Sequence, residues 1–230
     1  MMFMNKQYLK IALIILSLYL INNMLGAGFS LTMNMIKEKL IFISLVILAL
    51  MFHEVAHGYV AYKLGDPTPL KEKRLNLNPL NHIDPVGFLM FVFVGIGWAK
   101  PVRINPFYFE NPKKAQTYIA AAGPASNFIL AALSLWFLKF FMSNGEIKEI
   151  ILLFSYINIL LGIFNLVPIL PLDGGRILYG ILPRAMAEKY ADIEPFGFII
   201  VILLIWFLNF GVVIQGLSIK TLNIMGALIL

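Results

Sequence analysis

The stretch Leu50–Val60 reads LMFHEVAHGYV and lies inside a longer apolar run, Leu40–Leu64. It contains His53, Glu54 and His57. About 20 apolar residues are enough to cross the hydrocarbon core of a bilayer. Ionisable side chains are rare in such spans, and where they occur they mark functional sites. The stretch therefore predicts a membrane-spanning helix that carries a site.

The composition indicates an all-α polytopic membrane protein. Of 230 residues, 60% are hydrophobic and 13% are charged, whereas soluble domains carry about 25% charged residues. The net charge of +6 is typical of basic loops on the cytoplasmic side of a membrane, so it does not indicate nucleic-acid binding. Because the chain has no cysteine, any metal must be held by His, Asp or Glu.

Apolar runs predict about five or six transmembrane helices in a single domain, residues 1–230. The first run is an additional N-terminal span within residues 1–36, or alternatively a signal peptide. The last stretch, Ile214–Leu230, contains Lys220 and is predicted to be a peripheral helix. The predicted spans are Ile11–Phe29, Leu40–Leu64, Ala115–Met142, Ile150–Leu170 and Phe196–Val213.

Two segments after the first histidines do not resemble full spans. RLNLNP, Arg74–Pro79, alternates polar and apolar residues as a strand does. Pro85–Trp98 is apolar but too short to cross a bilayer, which favours a re-entrant piece. With a cytoplasmic N-terminus, most of the 18 basic residues lie on the cytoplasmic side, as the positive-inside rule requires.

The spacing of the HEVAH motif predicts a metal site. His53 and His57 are four residues apart, so on an α-helix they lie about 40° apart on one face. Glu54 lies on the same side. Two imidazoles at this spacing can bind one Zn²⁺, and the glutamate between them can reach the attacking water. Structural histidines bonded between helices are the alternative interpretation.

A catalytic zinc usually has three protein ligands, and the third must return to the depth of His57. Pro168 and Pro171 break the run that leads inward from Ile150, and Asp173 follows the break. Asp173 is therefore the candidate third ligand. It can also cap the helix predicted after it. The other candidate ligands are His82 and Asp84 in NHIDP.

The combination of motifs resembles the site-2 protease family of intramembrane zinc metalloproteases. HEVAH in one span and NLVPILPLDGGRI in a later span carry the resemblance, together with AAGPASNF between them. RLNLNPLNHIDPVGF and GWAKPVRINP are similar to the compact prokaryotic branch, which lacks PDZ and CBS domains. The resemblance covers about residues 40–198.

The resemblance implies that His53, His57 and Asp173 ligate Zn²⁺ and that Glu54 is the general base. It implies transmembrane protein substrates, cleaved near the cytoplasmic side of the lipid bilayer in a prokaryotic cell membrane. RLNLNP and the re-entrant piece are expected to hold an unwound substrate segment.

Asn165 and Asn127 are candidate oxyanion or substrate contacts, with interhelical hydrogen bonding as the alternative.

Two other functions use the same residues. A divalent metal-ion transporter would employ the His/Asp cluster as a transport site, but it predicts ionisable groups along a path and often an inverted repeat. The sequence contains one cluster and no internal repeat. A membrane scaffold without enzymatic activity would bind no metal.

Overall fold

The structure is a computed structural model that describes residues 33–95, 97–141 and 145–230. The predicted span Ile11–Phe29 lies outside the described residues. Within them every regular element is helical, and β-pairing is limited to one isolated bridge. The all-α prediction is therefore confirmed.

The helices of the described ranges are numbered in chain order. Short 3₁₀ turns occur at Pro79–Asn81 and Pro106–Tyr108. The helices are α1 Met33–Lys63, α2 Thr68–Lys71, α3 Pro85–Val94, α4 Pro112–Phe141, α5 Glu146–Asn165, α6 Asp173–Ile181, α7 Arg184–Ala191, α8 Glu194–Phe207 and α9 Phe210–Ile229.

Four described helices, α1, α4, α5 and α9, are long and apolar enough to cross a membrane. Helices α7 and α8 are together long and apolar enough to make a fifth span. They are bent by 65° relative to each other, so this span would be a broken one. This number agrees with a polytopic membrane protein.

The chain divides into two compact units. The first comprises residues up to Ile43 together with Ile83–Lys100, and the second comprises Ser44–His82 together with Pro101–Leu230.

In the first unit, α3 is a ten-residue helix that starts at Pro85. The side chain of Asp84 caps it by accepting a hydrogen bond from the Gly87 backbone N–H at 2.8 Å. At about 1.5 Å per residue, α3 is roughly 15 Å long, half of a hydrocarbon core. After α3 the chain returns to the level at which the helix began, as the antiparallel bridge between Ile83 and Ala99 shows. This hairpin is the geometry expected of a re-entrant piece.

In the second unit, α4 packs against α5 and α6, and α9 packs against α5. The buried residues of α4 and α5 include aliphatic side chains: Ile119 and Leu135 from α4, and Ile157 and Ile159 from α5, are each at most 2% exposed.

The connection between α5 and α6 is a turn that follows a candidate membrane span. Helix α5 ends at Asn165, and a turn that contains both prolines leads to α6, which begins at Asp173. A side chain at Gly174 would overlap the Leu166 carbonyl, so only glycine lets the turn fold this closely onto the start of α6. The turn therefore fixes where Asp173 starts its helix.

The strand predicted for RLNLNP is wrong. Its asparagines bond locally instead: Asn76 accepts from the Asn78 backbone N–H at 2.9 Å, and Asn78 accepts from the Leu80 backbone N–H at 3.1 Å. Such side-chain bonds to nearby backbone compete with strand pairing, so the segment forms consecutive turns.

Two predictions at the C-terminal end are also corrected. The run Phe196–Val213 is not one helix, because α8 ends at Phe207 and Asn209 adopts a left-handed conformation (φ 51°) before α9. Residues 214–230, predicted to be peripheral, belong mostly to α9, which is long and apolar enough to be a span despite Lys220.

Candidate metal centre

Two helices bring the predicted ligands together within the second unit. Helix α1 supplies His53 and His57, which are 3% and 8% exposed, and the first residue of α6 supplies Asp173. The Nε2 atoms of the two histidines are 3.0 Å apart. Oδ2 of Asp173 lies 3.0 Å from Nε2 of His53 and 3.3 Å from Nε2 of His57. The predicted convergence of Asp173 with both rings is present.

The outer nitrogen of each ring is held by an acceptor on α4. Nδ1 of His53 lies 2.7 Å from Oδ1 of Asn127, and Nδ1 of His57 lies 2.6 Å from the Ile119 carbonyl oxygen. A neutral imidazole that donates from Nδ1 carries a lone pair on Nε2. Both lone pairs therefore point toward the Asp173 carboxylate.

The dimensions and chemistry of this cluster fit zinc. Zn²⁺ binds His nitrogen and carboxylate oxygen at about 2.0–2.2 Å, and two tetrahedral ligands at that distance are roughly 3.3–3.5 Å apart. The three observed separations, 3.0 to 3.3 Å, are close to one face of such a tetrahedron. Three electron-pair donors that face one another at this distance favour a cation between them. Three protein ligands would leave one position of a tetrahedral zinc for water or substrate.

Gly123 on α4 forms one wall of the cluster. A Cβ at this position would overlap Nε2 of His57 and would lie 2.5 Å from Cε1 of His53. Only a residue without a side chain therefore leaves the metal-facing edges of both rings free.

Glu54 follows His53 on α1 and is partly buried. Its Oε2 accepts a hydrogen bond of 3.1 Å from the Val102 backbone N–H. The segment that carries Val102 is itself tied down, because the buried carboxylate of Asp66 accepts from the Asn105 backbone N–H at 2.7 Å. The Asp66 carboxylate thus holds the loop whose backbone, at Val102, orients the Glu54 carboxylate.

The two alternative ligands, His82 and Asp84, make hydrogen bonds elsewhere in the structure. His82 places Nε2 2.9 Å from the Asn76 carbonyl oxygen, and burial lowers the pKa of its imidazole below the usual range. Asp84 caps α3. In the part of the chain that the structure describes, the one group of three potential ligands within metal-binding reach is His53, His57 and Asp173.

The two predicted asparagines have different surroundings. Asn127 is fully buried and uses both its oxygen and its amide group, which donates to Oδ1 of Asn158 at 2.9 Å and to the Ala49 carbonyl at 3.4 Å. Asn165 is partly buried at the end of α5 and donates to the Leu161 carbonyl one turn earlier at 3.0 Å.

Sequence reasoning missed three residues that support the site. Val102 acts through its backbone N–H, which leaves no trace in the side-chain pattern. Asp66 precedes the proline-containing helix α2 and reads as a local turn residue. Asn158 did offer a signal, because an amide in the middle of an apolar span requires a hydrogen-bond partner.

Comparisons with known proteins agree on one family. The profile of Peptidase family M50 matches residues 141–208. YwhC of Bacillus subtilis, named as a zinc metalloprotease, is 38% identical over 170 residues, which are 69% of this chain and 77% of YwhC. No solved structure matches.

Two further relatives are longer than the matched region. The zinc metalloprotease MJ0392 of Methanocaldococcus jannaschii is 32% identical over 157 residues, 68% of this chain and 38% of the relative. Rip2 of Mycolicibacterium smegmatis, also named as a zinc metalloprotease, is 27% identical over 167 residues, 69% of this chain and 64% of Rip2.

Substitution of Gly123 by alanine is expected to abolish zinc binding, because the added methyl group occupies the space beside both Nε2 atoms. Zinc content of the purified protein, measured by mass spectrometry, checks this. Gly216→Ala on α9 is the control, since a Cβ there meets nothing within 4 Å. Equal zinc content in the two variants would contradict the geometry of the site.

Proposed function

This chain belongs to peptidase family M50 and is a zinc metalloprotease of the membrane, and from that premise we propose that it hydrolyses peptide bonds within or near the transmembrane helices of other membrane proteins. The observation that carries the proposal is the convergence of two imidazoles on α1, a candidate membrane span, with one carboxylate at the start of α6. A substrate must enter the bilayer to reach a site built there. We also propose that residues 1–230 form a single protease domain, with a core at about residues 40–198.

In the proposed mechanism, His53, His57 and Asp173 hold the zinc through Nε2, Nε2 and Oδ2. Their separations of 3.0–3.3 Å support this assignment. Zinc supplies Lewis acidity at such a site: it polarises a carbonyl group and makes water a stronger acid.

Glu54 is the proposed general base. Its carboxylate takes a proton from the attacking water and then gives that proton to the amine nitrogen that leaves. The hydrogen bond from Val102 engages Oε2, which leaves Oε1 for the proton. A fixed carboxylate is a better base than a mobile one, because its orientation is set before substrate arrives.

For the oxyanion we favour Asn165 over Asn127. An oxyanion donor needs an N–H that can point at the substrate carbonyl. The amide group of Asn127 donates to two partners on other helices, whereas the amide group of Asn165 donates to the Leu161 carbonyl of its own helix. We assign Asn127 to the orientation of His53 instead.

We propose that cleavage takes place toward the cytoplasmic side. His57 is six residues before Lys63, where α1 ends, so it lies about 9 Å from that end at 1.5 Å per residue. The basic residues that follow α1 favour a cytoplasmic location for this end by the positive-inside rule. The same rule gives a cytoplasmic N-terminus. The resemblance to the compact prokaryotic branch of the family implies a prokaryotic cell membrane as the setting.

A transporter function is not favoured. Transport requires ligands along a path, whereas the described residues contain a single three-ligand group.

Replacement of Glu54 by glutamine is expected to lower cleavage of a single-span test substrate about 10²–10⁴-fold, because the amide cannot accept the proton. The purified protein in detergent is assayed with and without a zinc chelator, and the chelator is expected to stop cleavage by the wild type. Zinc content of Glu54→Gln should equal that of the wild type. Cleavage unaffected by both treatments would contradict the proposal.

The orientation is tested with single cysteines, since the natural chain has none. Lys71→Cys, after α1, should react with a membrane-impermeant maleimide only in inside-out vesicles. Glu149→Cys, at the start of α5, should react in intact cells. The reverse labelling would place the site near the outer surface.

A further inference from the structure

A chain of buried amides links the candidate metal centre to α5. Asn158, in the middle of α5, accepts a hydrogen bond of 2.9 Å from Nδ2 of Asn127 on α4. Asn127 in turn accepts from Nδ1 of His53 on α1. Asn127 and Asn158 are both 0% exposed. Three helices are thus joined by two consecutive hydrogen bonds that end on an imidazole.

Backbone carbonyls fix the direction of this chain. Nδ2 of Asn158 donates to the Phe154 carbonyl at 2.9 Å, and a carbonyl can only accept. Oδ1 of Asn158 is therefore the atom that faces Asn127, and it too can only accept. The Ala49 carbonyl, 3.4 Å from Nδ2 of Asn127, imposes the same orientation on that amide. Oδ1 of Asn127 is left for His53, which must donate from Nδ1.

We propose that Asn158 is a positioning residue for the metal centre: by accepting from Asn127 it sets which ring nitrogen of His53 carries the proton. This deepens the proposed function and rests on it. Without the acceptor at residue 158, the Asn127 amide keeps only its longer contact, 3.4 Å, with the Ala49 carbonyl. It can then turn over and present an N–H to Nδ1. That reversed bond favours the proton on Nε2, the atom that faces Asp173, and a protonated Nε2 cannot bind zinc.

A neighbouring residue separates this role from ordinary packing. Ser155 lies one turn before Asn158 on α5, is also 0% exposed, and donates to the Ile151 carbonyl of its own helix at 3.0 Å. It is polar and buried, but its hydroxyl group bonds within α5 and not to the metal centre's amides. Ser155→Ala is therefore the matched control for loss of a buried polar group from α5.

The experiment is a double-mutant cycle read by zinc affinity. Full-length protein in detergent is titrated with Zn²⁺ in competition with a chromogenic chelator, and Co²⁺ absorption is recorded as a second readout. The variants are Asn158→Leu, Asn158→Ala and Ser155→Ala, and the two Asn158 changes are repeated in an Asn127→Asp background. A carboxylate at residue 127 presents an acceptor to His53 in either orientation, so it does not need Asn158 to direct it.

Loss of an outer hydrogen-bond partner typically weakens metal binding 10–100-fold. We expect both Asn158 changes to weaken zinc binding by about that factor and to alter the Co²⁺ spectrum, and Ser155→Ala to do neither. In the Asn127→Asp background the Asn158 changes should weaken zinc binding less than about threefold, because the two sites are coupled only through the amide.

Equal losses in both backgrounds would overturn the proposal, since a packing defect at residue 158 acts whatever residue 127 is. Unchanged zinc affinity in Asn158→Ala would overturn it as well. Either result leaves the protease function intact if the wild type binds zinc and cleaves substrate. A wild-type protein that binds no zinc would instead reject the proposed function itself.

Discussion

The site depends on the mutual repulsion of three electron-pair donors held together in an apolar surrounding. Two Nε2 lone pairs and one carboxylate oxygen meet within 3.3 Å. Water is scarce in a membrane interior, so a positive charge at the centre of this cluster would stabilise it. The supporting contacts then have a common purpose. Ile119 and Asn127 orient the rings, Gly123 leaves space beside them, and the turn before α6 delivers the carboxylate.

The turn between α5 and α6 is non-helical and follows a candidate membrane span, so its backbone polar groups need partners within the protein. Bonds within the protein meet this need here. The Leu172 N–H donates to the Ile169 carbonyl at 2.9 Å, and the Tyr190 hydroxyl on α7 donates to the Pro168 carbonyl at 3.0 Å. The turn is therefore compatible with burial, and it ends at the point where Asp173 faces the histidines.

The sequence predicted that the three candidate ligands lie together, because the signal there is local. HEVAH defines one helical face, and two prolines followed by Asp-Gly-Gly mark a broken span, so His53, His57 and Asp173 could be proposed together. Contacts between distant segments could not be predicted. Nothing in a sequence pairs Asn127 with Asn158, or the Val102 backbone with Glu54, until the helices have been packed.

The wrong fold predictions have local causes. Alternation in RLNLNP predicted a strand, but asparagine side chains bonded to nearby backbone. The charge of Lys220 led to the prediction of a peripheral helix. The 20 residues of α9, which include Lys220, nevertheless have a mean hydropathy that permits a span.

X-ray absorption at the zinc edge of the purified protein tests the central claim most directly. The account predicts one zinc with nitrogen and oxygen ligands at about 2.0–2.2 Å, the multiple-scattering pattern of two imidazoles, and loss of tight zinc binding in Asp173→Ala. Zinc surrounded only by water oxygens, or a spectrum unchanged in Asp173→Ala, would contradict it.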